Sequence, residues 1–177
     1  MLLKKRLPEQ VDQTVAIRRA VVSDAKGIIY CMQSVMDEKI YLVGEYYMFT
    51  ERGEQERLRN PDDITLVAED GGKIVGVATL QRGSHKKNRH TGLLGIAITS
   101  GYRHQGIGTR LISEILKIAT DMGIEKVNLE VFSTNANAIE AYKKLGFFIE
   151  GVKKGQFRIG SLDVDDVLMT RYSRSNN

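Results

Sequence analysis

The spacing of apolar positions changes several times along the chain, and each change marks an element. Residues 15–19 alternate briefly, as a short strand does. Ser23 then stands as a helix N-cap ahead of Ile28, Ile29, Met32, Val35 and Met36 on neighbouring turns. Between Tyr41 and Asn60 the pattern is mixed and aromatic, and residues 51–59 are charged enough to predict a short exposed helix that stops before Pro61. Two β-rich runs, 64–69 and 73–80, flank Asp70-Gly71-Gly72, where glycine supplies the positive φ of a tight hairpin. After a polar, basic stretch at 82–90, residues 92–98 are apolar without alternation, which predicts a central strand covered on both faces. Leu111, Ile112, Ile115, Leu116, Ala119 and Met122 recur at helical spacing until Gly123. A strand at 127–132, a helix at 136–145 closed by Gly146, and strands at 147–152 and 165–170 complete the order. No internal repeat or linker interrupts it. The expectation is a single α/β domain over 1–177, with hairpins first, a strand-helix-strand-helix unit second, and frayed ends at 1–13 and 173–177.

Composition narrows the class without naming it. A chain of 177 residues with 42% hydrophobic positions can bury one core. The net charge of +4, from 26 basic and 22 acidic residues, does not call for a nucleic-acid partner. Seventeen glycines against two prolines exclude a Pro-rich or collagen-like chain and make the positions of the glycines informative. Cys31, the single cysteine, lies in the apolar run 28–32 and reads as a small buried helical side chain. Nothing approaches the ~18 apolar residues of a membrane span, and residues 1–13 have basic character without an apolar stretch behind it, so the expected location is cytoplasmic and without a membrane. His85, His90 and His104 show no metal-ligand spacing, and no metal is expected. The basic run 85–90 reads as a solvated loop.

Arg103-His104-Gln105-Gly106-Ile107-Gly108 stands between the apolar strand and the long helix. A loop entering a helix N-terminus presents unpaired N–H groups and the positive end of the helix dipole, and glycines let an anion approach that backbone. Gly106 could equally be a plain turn and Gly108 a close-packing point. A Walker A loop fails, because Ile107 stands where its lysine belongs. The dinucleotide fingerprint fits only in part. Leu111 replaces its third glycine, although Glu130 falls 22 residues after Gly108, near the acidic position that motif expects.

A second motif begins 27 residues after Gly108, at Asn135-Ala136-Asn137-Ala138 and continuing through Tyr142, Lys144, Gly146 and Phe147. Together with the glycine loop it resembles the GNAT superfamily of acyl-CoA-dependent N-acyltransferases. The resemblance implies a mixed β-sheet flanked by helices, with central strands splayed around acetyl-CoA as co-substrate. It implies cofactor contacts from Ala97, Ile98, Arg103, His104, Gln105, Gly106, Ile107, Gly108, Asn135 and Tyr142. Backbone amides from Gln105 to Gly108 would hold the pyrophosphate, Ala97 and Ile98 would pair with the pantetheine arm, and a backbone N–H near Ile98 would serve the oxyanion. Tyr142 is the expected general acid for the departing thiolate, the other reading of it being an aromatic packed in the core. Glu130 is the carboxylate candidate for general base, with His90 as an alternative. The region of Tyr41, Tyr46, Tyr47 and Phe49, with Asp37, Glu38, Glu45, Glu51 and Glu54, is where such a fold receives its amine acceptor, a small molecule or a protein N-terminus. The expected reaction is acetyl transfer by direct attack in a ternary complex. Because the central strand carries no Asp or Glu, a non-catalytic CoA-binding module stands as the alternative, and a homodimer is open.

Overall fold

The computed structural model describes residues 15–173. The ends expected to fray, 1–13 and 173–177, lie outside it except for Ser173, whose N–H donates to the Glu125 carbonyl at 2.8 Å. In chain order the elements are β1 (Ala16–Arg19), a 3-10 turn (Val22–Asp24), α1 (Ala25–Met36), α2 (Glu51–Leu58), β2 (Ile64–Asp70), β3 (Lys73–Arg82), β4 (Thr91–Ile98), a second 3-10 turn (Ser100–Tyr102), α3 (Ile107–Asp121), β5 (Lys126–Phe132), α4 (Ala136–Lys144), β6 (Phe148–Ile159) and β7 (Leu162–Tyr172). The seven strands form one sheet in the order β1-β2-β3-β4-β5-β7-β6. β4 and β5 pair parallel and every other neighbouring pair is antiparallel, which is the mixed sheet the resemblance implies.

Two apolar clusters cover the sheet. On one face α3 lays Ile107, Leu111, Ile112, Ile115 and Ala119 against Leu66, Ala78, Leu94, Leu129 and Val131. On the other, Ile28 and Cys31 of α1 meet Val67, Ile74 and Val77. α1 packs mainly on β3 and covers that face of β4 only in part. This is why β4 is not covered on both faces, as its unbroken apolar run suggested: Leu94 and Ala97 are buried, but Leu93 is 47% exposed and Gly95 also faces solvent.

Several local expectations need correcting. Ser23 does not cap α1; it lies inside the 3-10 turn, and Asp24 receives the Val21 N–H at 2.7 Å while Arg18 holds its carboxylate. α2 is not wholly exposed, because Glu54 is 0% exposed and ion-paired with Arg57. The last two strands run well beyond 147–152 and 165–170 as one long hairpin, and β7 inserts between β5 and β6. Their polar ends read as loop because β6 is an edge strand, exposed along most of its length.

Candidate functional site

The site forms where the single parallel pair comes apart. β4 and β5 are paired only from Thr91–Lys126 to Leu93–Asn128 and separate beyond. The direction of the unpaired groups follows from strand alternation. Gly83 N–H donates to the Thr91 carbonyl and Thr99 N–H to the Val75 carbonyl, both at 3.0 Å, so odd-numbered residues of β4 exchange bonds with β3. Leu94, Ile96 and Ile98 consequently turn their N–H and C=O groups toward β5. By the same rule, Ser133 N–H on the Asp165 carbonyl and Ser173 N–H on the Glu125 carbonyl turn Glu130 and Phe132 of β5 toward β4. The result is a gap edged on both sides by backbone groups without a ladder partner, a slot suited to an extended, amide-bearing chain. The backbone of Ala97, expected to pair with such a chain, is bonded to Val77 of β3, and the groups that face the gap are those of Ile96 and Ile98. The period-2 rule contains this result, but its phase is set by β3, which the β4 sequence does not show.

At the end of β4 the chain curls into α3. His104 has φ 62° and Gly106 φ 76°, two left-handed residues in a turn of three, and Gly106 caps the helix without any side-chain hydrogen bond. The N–H groups of Ile107, Gly108 and Thr109 open the helix with no carbonyl one turn behind them. Successive N–H groups converging in this way form an anion nest at the positive end of the helix dipole. A Cβ at Gly108 would stand 3.2 Å from Ile98 Cδ1, so this glycine lets α3 approach β4 closely. Gln105 donates its side-chain amide to the Gly101 carbonyl at 3.0 Å, tightening the loop from behind.

Arg103 has a different occupation. Its Nε donates to the Ile98 carbonyl at 2.8 Å, its two Nη atoms fork onto Glu38 at 2.8 and 2.5 Å, and its guanidinium lies 4.4 Å from the Tyr41 ring centroid. Nothing in the Arg103 motif could have revealed these partners, since Glu38 is 65 residues away.

Asn135 caps α4, accepting the Ala138 N–H at 3.3 Å, so its expected capping role is present. About two turns on, Tyr142 is 9% exposed within the α3-face core and meets Phe147 edge-on at 6.0 Å between centroids. Among the described residues its hydroxyl has no hydrogen-bond partner, and burial pushes the phenol up to about 12. It is therefore fully protonated at neutral pH. Glu130 lies on the opposite face, since its neighbours Leu129 and Val131 belong to the core. Its side chain is 53% exposed and paired with Lys153 Nζ at 3.3 Å, and that ammonium also reaches the buried Asp166 at 3.0 Å. Acid and base candidates thus stand on opposite sides of the sheet, with the gap between them. His90 is the alternative base candidate. It precedes β4 at the closed end, where its carbonyl accepts the Glu125 and Lys126 N–H groups.

In the α1–α2 connection, Tyr47 donates to Glu54 at 2.9 Å and its N–H is held by Gln33 Oε1 at 3.0 Å, while Val43, Tyr46 and Met48 remain exposed. Cys31 is buried and its thiol pushed up to about 12 by desolvation, which makes it inert. Among the described residues no His/Cys/Asp/Glu group could hold a metal ion, and no helix is long and apolar enough to cross a membrane.

The comparisons agree with this geometry. The model of the acetyltransferase (GNAT) family matches residues 29–147. The chain is 35% identical to the L-amino acid N-acetyltransferase of Escherichia coli over 120 residues, 66% of this chain and 74% of that one. It is 33% identical to an N-alpha-acetyltransferase of Sulfurisphaera tokodaii over 147 residues, 74% of this chain and 78% of that one. A phosphinothricin acetyltransferase from Sinorhizobium meliloti, solved in complex with acetyl-CoA, has the same fold at 21% identity, with a TM-score of 0.81 and coverage of 90% of this chain and 89% of that one.

Proposed function

The chain belongs to the GNAT acetyltransferase family and is an acyltransferase that uses acetyl-CoA, and from that premise we propose that it transfers acetyl to a primary amine by direct attack in a ternary complex. The observation that carries the proposal is the β4–β5 gap, edged by unpaired backbone groups and running into the N–H nest of α3. Acetyl-CoA brings an activated thioester, a flexible amide-bearing arm and a pyrophosphate.

The nest from Gln105 to Gly108 suits the pyrophosphate, and Ile96 and Ile98 suit the arm. The Ile98 N–H is oriented to donate to the oxygen on which charge develops, which preorganised amides do well. Glu130 accepts the proton that the acceptor ammonium must lose before its nitrogen attacks the carbonyl carbon. As the C–N bond forms and the C–S bond breaks, the Tyr142 hydroxyl donates to the departing sulfur. Its high pKa keeps the proton available at any working pH.

The acceptor class we propose is a small primary amine, with α-amino acids as first candidates because one relative is named for them and a protein N-terminus as second because another is. The test is thiol release from acetyl-CoA across an amine panel that includes amino acids and peptides. Amine-dependent release supports the reading. Tight acetyl-CoA binding without release by any amine would favour the non-catalytic module instead.

A further inference from the structure

Arg103 belongs to the glycine motif, yet its guanidinium turns away from the nest. It is four-fifths buried, with its donors divided between two distant parts of the chain. Nε meets the Ile98 carbonyl at 2.8 Å. Both Nη atoms meet Glu38, just beyond the C-terminal end of α1, and the flat face of the group rests on Tyr41. The bidentate fork and the stacked ring fix the plane of the guanidinium, so the Nε–H can point in only one direction.

That direction has a consequence for the gap. Strand alternation turns both the N–H and the C=O of Ile98 toward β5, where no strand pairs with them. Arg103 fills one of the two. Beyond Leu94, the open edge of β4 is thereby reduced to the Ile96 N–H and C=O and the Ile98 N–H, and a chain laid into the gap meets a donor at Ile98 with no competing acceptor beside it.

We infer that Arg103, held by Glu38 and Tyr41, is a positioning residue: by occupying the Ile98 carbonyl it sets the register of the cofactor arm along β4 and leaves the Ile98 N–H as the sole free donor at the end of the strand. It is not a ligand of the phosphates. The two partners that hold it come from the α1–α2 connection, so the segment proposed to receive the acceptor also fixes the strand that receives the cofactor. This inference rests on the acetyl-CoA site proposed above.

The sign of one substitution separates the two roles for Arg103. Glu38→Gln removes the charge that holds the guanidinium. If Arg103 positions β4, acetyl-CoA binding weakens by about tenfold or more, the size of one charge-assisted hydrogen bond. If Arg103 serves the phosphates, freeing it from Glu38 strengthens binding instead. ADP, which carries the pyrophosphate without the arm, gives the second contrast. In the positioning role, Glu38→Gln and Arg103→Gln weaken acetyl-CoA while leaving ADP affinity within about twofold of wild type, well under the tenfold of one lost hydrogen bond. The charge-swapped double variant, Glu38→Arg with Arg103→Glu, rebuilds the ion pair but has no donor for the Ile98 carbonyl, so its thermal midpoint recovers while acetyl-CoA binding does not. Arg103→Lys keeps charge and fold and should show the same selective loss. Tighter acetyl-CoA binding in Glu38→Gln, parallel loss of ADP and acetyl-CoA in Arg103→Lys, or wild-type acetyl-CoA affinity in the double variant would each overturn the inference. A wild-type protein that binds ADP but not acetyl-CoA would overturn the underlying reading first.

Discussion

Replacing Tyr142 by Phe removes one oxygen and leaves the ring where it is, against Phe147 and inside the α3-face core. Because that oxygen has no partner among the described residues, no hydrogen bond is lost, and fold stability at neutral pH should change by less than about 1 kcal/mol. Turnover should behave otherwise. Loss of a general acid costs about 10²- to 10⁴-fold in kcat, while acetyl-CoA affinity by titration calorimetry stays near wild type. The phenol supplies an independent check. Its pKa is raised from 10 to about 12 by burial, so the folded state holds the proton more tightly than the unfolded one. Stability from this group is complete below pH 10 and is lost as pH rises toward 12, by about 1.4 kcal/mol for each pH unit, or roughly 3 kcal/mol in all. Urea melts of wild type between pH 9 and 12 should fall by that order, and those of Tyr142→Phe should stay flatter. Wild-type kcat at saturating acetyl-CoA and amine in the Phe variant would refute the catalytic role. A matching alkaline decline in both proteins would refute the burial argument.

Gly106→Ala places a Cβ on a left-handed residue, φ 76°, at a strain of about 1 kcal/mol, and should weaken acetyl-CoA binding in calorimetry more than it lowers the thermal midpoint. Arg57→Ala strands the fully buried Glu54 carboxylate and should cost about 3 to 5 kcal/mol in a urea melt at pH 7, with part of the loss recovered by adding Glu54→Gln. The Asp24 carboxyl is held below its usual range by hydrogen bonds from Arg18, so its contribution is present above about pH 4 and disappears as pH falls below that. With Arg18 partly exposed, Asp24→Asn should cost under about 1 kcal/mol at pH 7 and flatten the acid limb of the stability profile.

Features within a few residues of one another were legible from the chain alone. The Asp70-Gly71-Gly72 hairpin appears with both glycines at positive φ, Gly123 and Gly146 end their helices in the same conformation, and the long amphipathic helix is α3. Each depends on local sterics or on a period that neighbouring residues complete. The glycine loop at the start of α3 was legible for the same reason, because a helix N-terminus exposes its N–H groups whatever surrounds it. What the sequence could not decide were the pairings across distance. The unbroken apolar run of β4 looked buried on both faces, yet Leu93 and Gly95 are open on one face because α1 covers it only in part. The phase of strand alternation, which gives Ile96 rather than Ala97 to the gap, is set by β3. Arg103 reads as a cofactor contact in its motif, and its ion pair with Glu38 and its stacking on Tyr41 arise only when the fold brings those residues to it. The chain by itself determined which elements form and where a helix N-terminus exposes its N–H groups. Tertiary structure decided which backbone groups remain unpaired around the β4–β5 gap, because an unpaired group is defined by the strand that is not there, and no local sequence records its absence.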